Sequence, residues 1–162
     1  MDRHEGGCLC GAIRYETLTA PSRVTVCHCS FCQRATGAAY MVQPVFDDVD
    51  LRLLAGAPRV YDAVSAGSGK VIHVHFCAEC GTKLWLSFER FPGKLGLYAG
   101  TFDEPCWFDI APDTSKHIFL GEARRDTVIP PGIPTFAAHV LGKDGTPQTP
   151  VVYDTCHSIG GA

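Results

Sequence analysis

A mainly β fold of short strands is what this sequence of 162 residues predicts. Three observations lead there. Glycine and proline are frequent, at 17 and 11 residues, and both break long helices. Large apolar residues alternate along short segments, as in Val71 to Phe76, where Ile72, Val74 and Phe76 share one face while His73 and His75 share the other. No long helical pattern and no internal repeat emerges.

Taken in order, Cys10 to Glu16 reads as a first strand, with Ile13 and Tyr15 as its alternating large residues. Arg23 to Val26 is a second extended stretch. Cys29 to Thr36 fits a tight turn with one short helical turn, closed by Gly37. Ala39 to Val42 and Val49 to Leu54 follow as strands, then a turn at Ala55 to Pro58 and a short strand at Arg59 to Val64. Ser65 to Gly69 is a loop of small residues. Val71 to Phe76, Lys83 to Phe88 and Lys94 to Tyr98 continue the sheet. Ser115 to Leu120 is another candidate strand. Pro130-Pro131-Gly132-Ile133-Pro134 lacks the donors that a helix or central strand needs, so it is expected to cross the surface as a wall of the site. Asp144 to Pro150 reads as a loop, Val151 to Tyr153 as an edge strand, and the last residues as a frayed end.

The length suits one domain, expected over residues 1–140, with 141–162 as a C-terminal extension. A hydrophobic fraction of 46% is enough for a core, yet no run approaches the roughly 20 apolar residues that span a bilayer. The start, Met-Asp-Arg-His-Glu-Gly-Gly, carries no hydrophobic signal segment, so a cytoplasmic, reducing location is expected. The formal charge is −3 and Arg124-Arg125 is the only adjacent basic pair, which argues against nonspecific nucleic-acid binding.

Seven of the nine cysteines fall into three tight groups: Cys8-Leu-Cys10, Cys27-His-Cys29-Ser-Phe-Cys32 and Cys77-Ala-Glu-Cys80. In a reducing compartment such spacing reads as metal ligation rather than as disulfides. Zinc takes four protein ligands in a structural site and three where the fourth position serves chemistry, so seven thiolates divide into four plus three. Cys77 and Cys80 can grip one ion across a turn, and Gly81 permits the tight backbone that follows; Cys8, Cys10 and Gly11 repeat the device. Cys27, Cys29 and Cys32 can converge on a second ion and leave a position open. A different pairing, Cys29 and Cys32 with Cys77 and Cys80, is also compatible with the order along the chain. His28, alone between ligands, reads as an exposed bystander, against the alternatives of a group behind the ligands or a substitute ligand. Cys106 and Cys156 lie outside the three groups and read as buried or bystander thiols.

Three pieces carry a family resemblance. They are Gly7-Cys8-Leu-Cys10-Gly11 with Tyr15, Cys27-His28-Cys29-Ser30-Phe31-Cys32-Gln33-Arg34 with Gly37, and Phe76-Cys77-Ala-Glu-Cys80-Gly81-Thr82. In order and spacing the chain resembles the glutathione-dependent formaldehyde-activating enzyme family, which includes centromere protein V. The resemblance covers about residues 5 to 120 and, more weakly, the tail through Phe136. It implies a compact Mss4-like (β-tent) fold of short antiparallel strands around a structural zinc held by Cys8, Cys10, Cys77 and Cys80. It further implies a second, catalytic-type zinc on Cys27, Cys29 and Cys32; three thiolates without their fourth ligand are expected to hold it as the more labile ion. The reaction it implies is of carbon–sulfur lyase type, the condensation of glutathione with formaldehyde to S-hydroxymethylglutathione.

The leading expectation is therefore a zinc-dependent enzyme acting on glutathione or another small thiol and its formaldehyde or carbonyl adduct, bound at the position left open by Cys27, Cys29 and Cys32. Arg34 is a candidate for holding a substrate carboxylate, with an ordinary surface charge as its alternative. His28, Glu79 and a metal-bound water are candidate bases. The competing class is a noncatalytic zinc module that binds protein or nucleic acid; a long basic or disordered extension would favour it, and this chain has none.

Overall fold

The structure, a computed structural model, describes residues 3–142 and 144–160. In chain order the elements are β1 (His4–Gly7), β2 (Arg14–Thr17), β3 (Arg23–Cys27), α1 (Ser30–Thr36), β4 (Met41–Asp47), β5 (Leu51–Ala55), β6 (Arg59–Val64), β7 (Val71–Phe76), β8 (Lys83–Phe88), β9 (Lys94–Leu97), β10 (Ser115–Ile118), β11 (Val128–Ile129) and β12 (His157–Ser158). The fold is mainly β, as its alternating patterns and turn residues predict, with one short α-helix. No helix among the described residues is long and apolar enough to cross a membrane.

Two compact units interleave along the sequence. One comprises the chain up to Arg23 together with Gln43–Asp109, and the other comprises Val24–Val42 and the chain from Ile110 onward.

The first unit contains an antiparallel sheet in the order β1-β2-β5 and an antiparallel run in the order β4-β9-β8-β7-β6. Residues from both, with Phe102, form one core: Tyr15, Phe46, Leu84, Trp85, Leu95, Leu97 and Phe102. Each fully buried large apolar side chain contributes roughly 1.5–3 kcal/mol. Tyr15 is a buried phenol, and its hydroxyl is satisfied by Thr101 Oγ1 at 2.7 Å. Gly6 makes this possible, since a Cβ there would sit 2.5 Å from both Tyr15 Oη and Thr101 O. The predicted strand from Ala39 to Val42 continues further than expected, through Pro44 to Asp47. Its ladder to β9 begins at Val45, so the donor missing at Pro44 falls outside that pairing.

The second unit contains β3 paired with β10 in parallel, in register Val26 to His117 and Cys27 to Ile118. Helix α1 follows β3 directly and is longer than the single turn expected, at seven residues. It ends at Gly37, as predicted, and that residue takes the left-handed conformation. The proline-rich segment is pinned by buried Ile133 and Thr135 rather than lying wholly on the surface. Only Val151 of the expected edge strand forms a bridge, with Thr135. Pro130, Pro131 and Pro134 have no N–H with which to lengthen that ladder. The terminal pairing instead joins β12 to β11 in antiparallel register, so His157 and Ser158 are held and not frayed. Of the last residues expected to fray, Gly161 and Ala162 lie outside the described residues.

Two cysteine clusters as candidate metal centres

The first cluster is made by two turns of the first unit. Cys8 and Cys10 lie between β1 and β2; Cys77 and Cys80 lie between β7 and β8. Each turn closes on the carbonyl of its first cysteine, which accepts from Gly11 N at 3.0 Å in one and from Gly81 N at 2.9 Å in the other. Both glycines are left-handed, at φ 77° and 74°, a conformation that costs glycine nothing. Leu9 N donates to Thr82 Oγ1 at 3.1 Å and ties one turn to the other. The four sulfurs all lie within 4.8 Å of one another, with Cys8 to Cys10 at 3.5 Å and Cys10 to Cys77 at 3.8 Å.

These separations fit zinc. A regular tetrahedron with Zn–S bonds of about 2.3 Å has sulfur–sulfur edges of about 3.8 Å. The protons tell the same story. The Thr82 hydroxyl and N–H hold the Cys80 thiol down to about 5. Burial opposes ionisation of Cys8, yet the Ile13 N–H, which donates to its sulfur at 3.2 Å, and the neighbouring thiols bring its pKa below the usual value. Despite the Ala12 N–H, Cys8 and Cys80 push Cys10 up to about 12. Cys8, Cys10 and Cys80 thus hold their protons unequally, an arrangement a divalent cation would resolve by replacing them.

The second cluster belongs to the second unit. Cys27 ends β3, Cys29 is the N-cap of α1 and Cys32 lies in its first turn. Their sulfurs also lie within 4.8 Å of one another, with Cys27 to Cys29 at 3.4 Å. Cys29 Sγ accepts from Cys27, and from Cys32 N at 3.4 Å. The Cys27 and Cys32 thiols, aided by the backbone donors of the helix start, bring its pKa to about 3. Cys27 is correspondingly pushed up to about 12, first by Cys29, and Cys32 is raised as well. One sulfur therefore carries the charge at neutral pH while two retain protons that a metal would displace. Sulfurs group as 8, 10, 77, 80 and as 27, 29, 32, so the alternative pairing of Cys29 and Cys32 with Cys77 and Cys80 is not the one adopted.

Around the three sulfurs the sequence reading needs correction at His28. It is not an exposed bystander; its relative exposure is 0%. Its Nε2 lies 3.0 Å from Nδ1 of buried His117, and burial holds both rings down to about 4, so both are neutral at pH 7. His28 also packs against half-exposed Tyr40, with ring centroids 5.1 Å apart. Glu122 and Gln33 grip the start of α1: Glu122 Oε2 accepts from Ser30 N at 2.7 Å, and Gln33 Nε2 donates to His28 O at 2.6 Å. Neither His117 nor Glu122 stands out in the sequence, because the parallel pairing that brings them here spans most of the chain. Arg34 is exposed and makes no ion pair among the described residues. Glu79 is exposed in the turn between Cys77 and Cys80, within the four-cysteine cluster of the first unit. Cys106 and Cys156 are exposed and belong to neither cluster.

Comparison with known proteins now decides the family. Residues 3–122 match the sequence profile of the family described as "Glutathione-dependent formaldehyde-activating enzyme". The chain belongs to this family. A Halomonas elongata protein bearing the family's name is 29% identical over 102 residues, which cover 61% of this chain and 65% of the relative. About a third of that relative thus has no counterpart in the match. Among solved structures, a Rhodobacter sphaeroides protein aligns with a TM-score of 0.48 and 23% identity, over 61% of this chain and 87% of its own.

Proposed function

We propose that this chain is a zinc-dependent enzyme of carbon–sulfur lyase type, acting on glutathione or another small thiol and its formaldehyde or carbonyl adduct. The observation that carries the reading is the convergence of Cys27, Cys29 and Cys32, a three-thiol set inside a segment matching a glutathione-dependent family. Three protein ligands are what a catalytic zinc site uses when its fourth position is kept for substrate. On this reading Cys8, Cys10, Cys77 and Cys80 hold a structural zinc within an Mss4-like fold. Residues 1–140 form the catalytic-type domain and 141–162 its extension.

In the forward direction a thiol sulfur attacks the carbonyl carbon. The carbon–sulfur bond forms, the C=O π pair moves to oxygen, and the proton lost by the thiol ends on that oxygen; cleavage of the adduct reverses each movement. Zinc bound by Cys27, Cys29 and Cys32 would supply Lewis-acid stabilisation of substrate sulfur as thiolate. The chain's own residues prepare the place. The helix start already stabilises negative charge on Cys29, through the Cys32 N–H. The neutral His28–His117 pair is buried and mutually hydrogen-bonded, and His28 lies between Cys27 and Cys29 in the chain. Arg34, exposed on the helix that carries Cys32, is the proposed partner for a substrate carboxylate. A cytoplasmic location suits this chemistry, because open thiolates persist in reducing surroundings.

The test joins metal to turnover. Protein purified without oxygen is assayed for zinc content with and without glutathione, and for formation and cleavage of the thiol–formaldehyde adduct. Zinc retention that rises with glutathione, together with turnover that Cys29→Ser abolishes, is the expected result. Thiol binding with no turnover of any adduct would overturn the enzyme reading in favour of a binding module.

A further inference from the structure

The three sulfurs of the second cluster do not sit on one rigid element. Cys27 is held by the β3–β10 ladder, while Cys29 and Cys32 ride on the first turn of α1. A seven-residue helix does not hold itself in place, since isolated helices shorter than about 12–15 residues are marginal in water. The spacing of the sulfurs therefore depends on what grips this turn from outside.

The grip is reciprocal and centres on one residue. Glu122 Oε2 accepts from Ser30 N at 2.7 Å. In return Gln33 Nε2 donates to Glu122 O at 2.9 Å, and to His28 O at 2.6 Å. Ser30 is the first helical residue, and its N–H has no partner within the helix. Two residues on, the Cys32 N–H donates to the Cys29 sulfur. The chain delivers Glu122 to this place by a sharp turn out of β10. Phe119 adopts φ 61° and ψ 41°, an outlier for a bulky residue, and Leu120–Glu122 follow as a 3-10 turn. Phe119 N, Leu120 N and Gly121 N donate to Ala138, Phe136 and Ala137 carbonyls at 3.0, 3.1 and 3.0 Å, which holds the turn in this strained form.

We propose that Glu122 is a positioning residue for the three-cysteine centre, which fixes the helix start through Ser30 and so sets the sulfur spacing that a metal meets. The inference rests on the reading that Cys27, Cys29 and Cys32 hold a metal. Partners behind metal ligands typically change affinity by about 10–100-fold when removed.

The experiment uses the full, zinc-loaded chain and competes its metal against a chromophoric chelator. Glu122→Ala should release the labile zinc at a chelator concentration at least about tenfold lower than wild type, with the resistant zinc unmoved. Glu122→Gln keeps the accepting oxygen and should restore the affinity to within about twofold. Ser30→Pro removes the same bond from the other side. Proline suits the first helical position, and Cys29 before it is already extended at φ −64°, ψ 154°. Ser30→Pro should therefore reproduce the loss, and the double variant with Glu122→Ala should lose no more. Release at the wild-type concentration in Glu122→Ala, or a Glu122→Gln variant as weak as Glu122→Ala, overturns the proposal alone. A wild-type chain that never holds more than one zinc removes the centre itself and overturns both readings.

Discussion

His28 Nε2 lies 3.0 Å from His117 Nδ1, across 89 residues of sequence. Both rings are buried and neutral, so one donates and the other accepts. Each keeps its second nitrogen, Nδ1 of His28 and Nε2 of His117, buried without a protein partner. The pair thus ties His28, the residue after β3, to β10 by a side-chain bond beside the backbone ladder.

Removing one ring should cost more than removing both would suggest. His117→Phe leaves the His28 imidazole unpaired in the interior, and such a loss costs about 1–3 kcal/mol. His28→Phe should behave alike. The double variant should lose less than the sum of the singles, which urea denaturation of the zinc-loaded protein at pH 7 can measure. Strictly additive losses would show that the ring pair contributes nothing of its own.

What the sequence discloses follows from distance along the chain. The cysteine clusters are readable because metal ligands in a turn must be two or three residues apart, and Gly11 and Gly81 mark the turns. Strands β6, β7 and β8 are readable from alternation and from Ser65 to Gly69 between two of them. His28 is not readable. Its neighbours suggest an exposed loop, and its burial comes from His117 and Tyr40, brought in by tertiary pairing. Glu122 is hidden for the same reason: nothing local to it names Ser30 as its partner. Strand β4 is underestimated because proline counts against a strand, yet Pro44 precedes the paired stretch of the β9 ladder.

The two clusters should differ sharply when a ligand is lost. Cys77 is 1% exposed and joins the turn after β7 to the turn after β1. Cys77→Ser should abolish a cooperative thermal transition under reducing conditions, because zinc binding at a closed site is itself folding free energy. Cys29→Ser should shift the melting temperature by only about a few degrees. Equal, small shifts in both variants would sink this division of roles.

Metal removal should proceed in two stages. Anaerobic protein is expected to hold up to two zinc ions, one lost to mild chelation and one retained until the fold is lost. Metal analysis after graded chelator treatment, with far-ultraviolet circular dichroism on the same samples, separates the stages. A maximum of one zinc in the presence of thiol would favour a single structural centre.

The last prediction concerns where the thiol goes. Glutathione should bind at the metal held by Cys27, Cys29 and Cys32, through its sulfur. Cobalt in place of zinc makes this visible, because each added thiolate strengthens the sulfur-to-metal charge-transfer absorption. Titration with glutathione should therefore raise that absorption in the wild-type chain. An S-methylated glutathione, which keeps the carboxylates but has no ionisable thiol, should leave it unchanged. Cys29→Ser should abolish the rise while preserving most of the cobalt signal from Cys8, Cys10, Cys77 and Cys80, which lie in the other cluster. Arg34→Ala should weaken the glutathione dependence without lowering the final absorption, since Arg34 is proposed to hold a carboxylate and not the sulfur. A spectrum that saturating glutathione fails to change, with adduct turnover unaltered in Cys29→Ser, would remove the open centre from the mechanism.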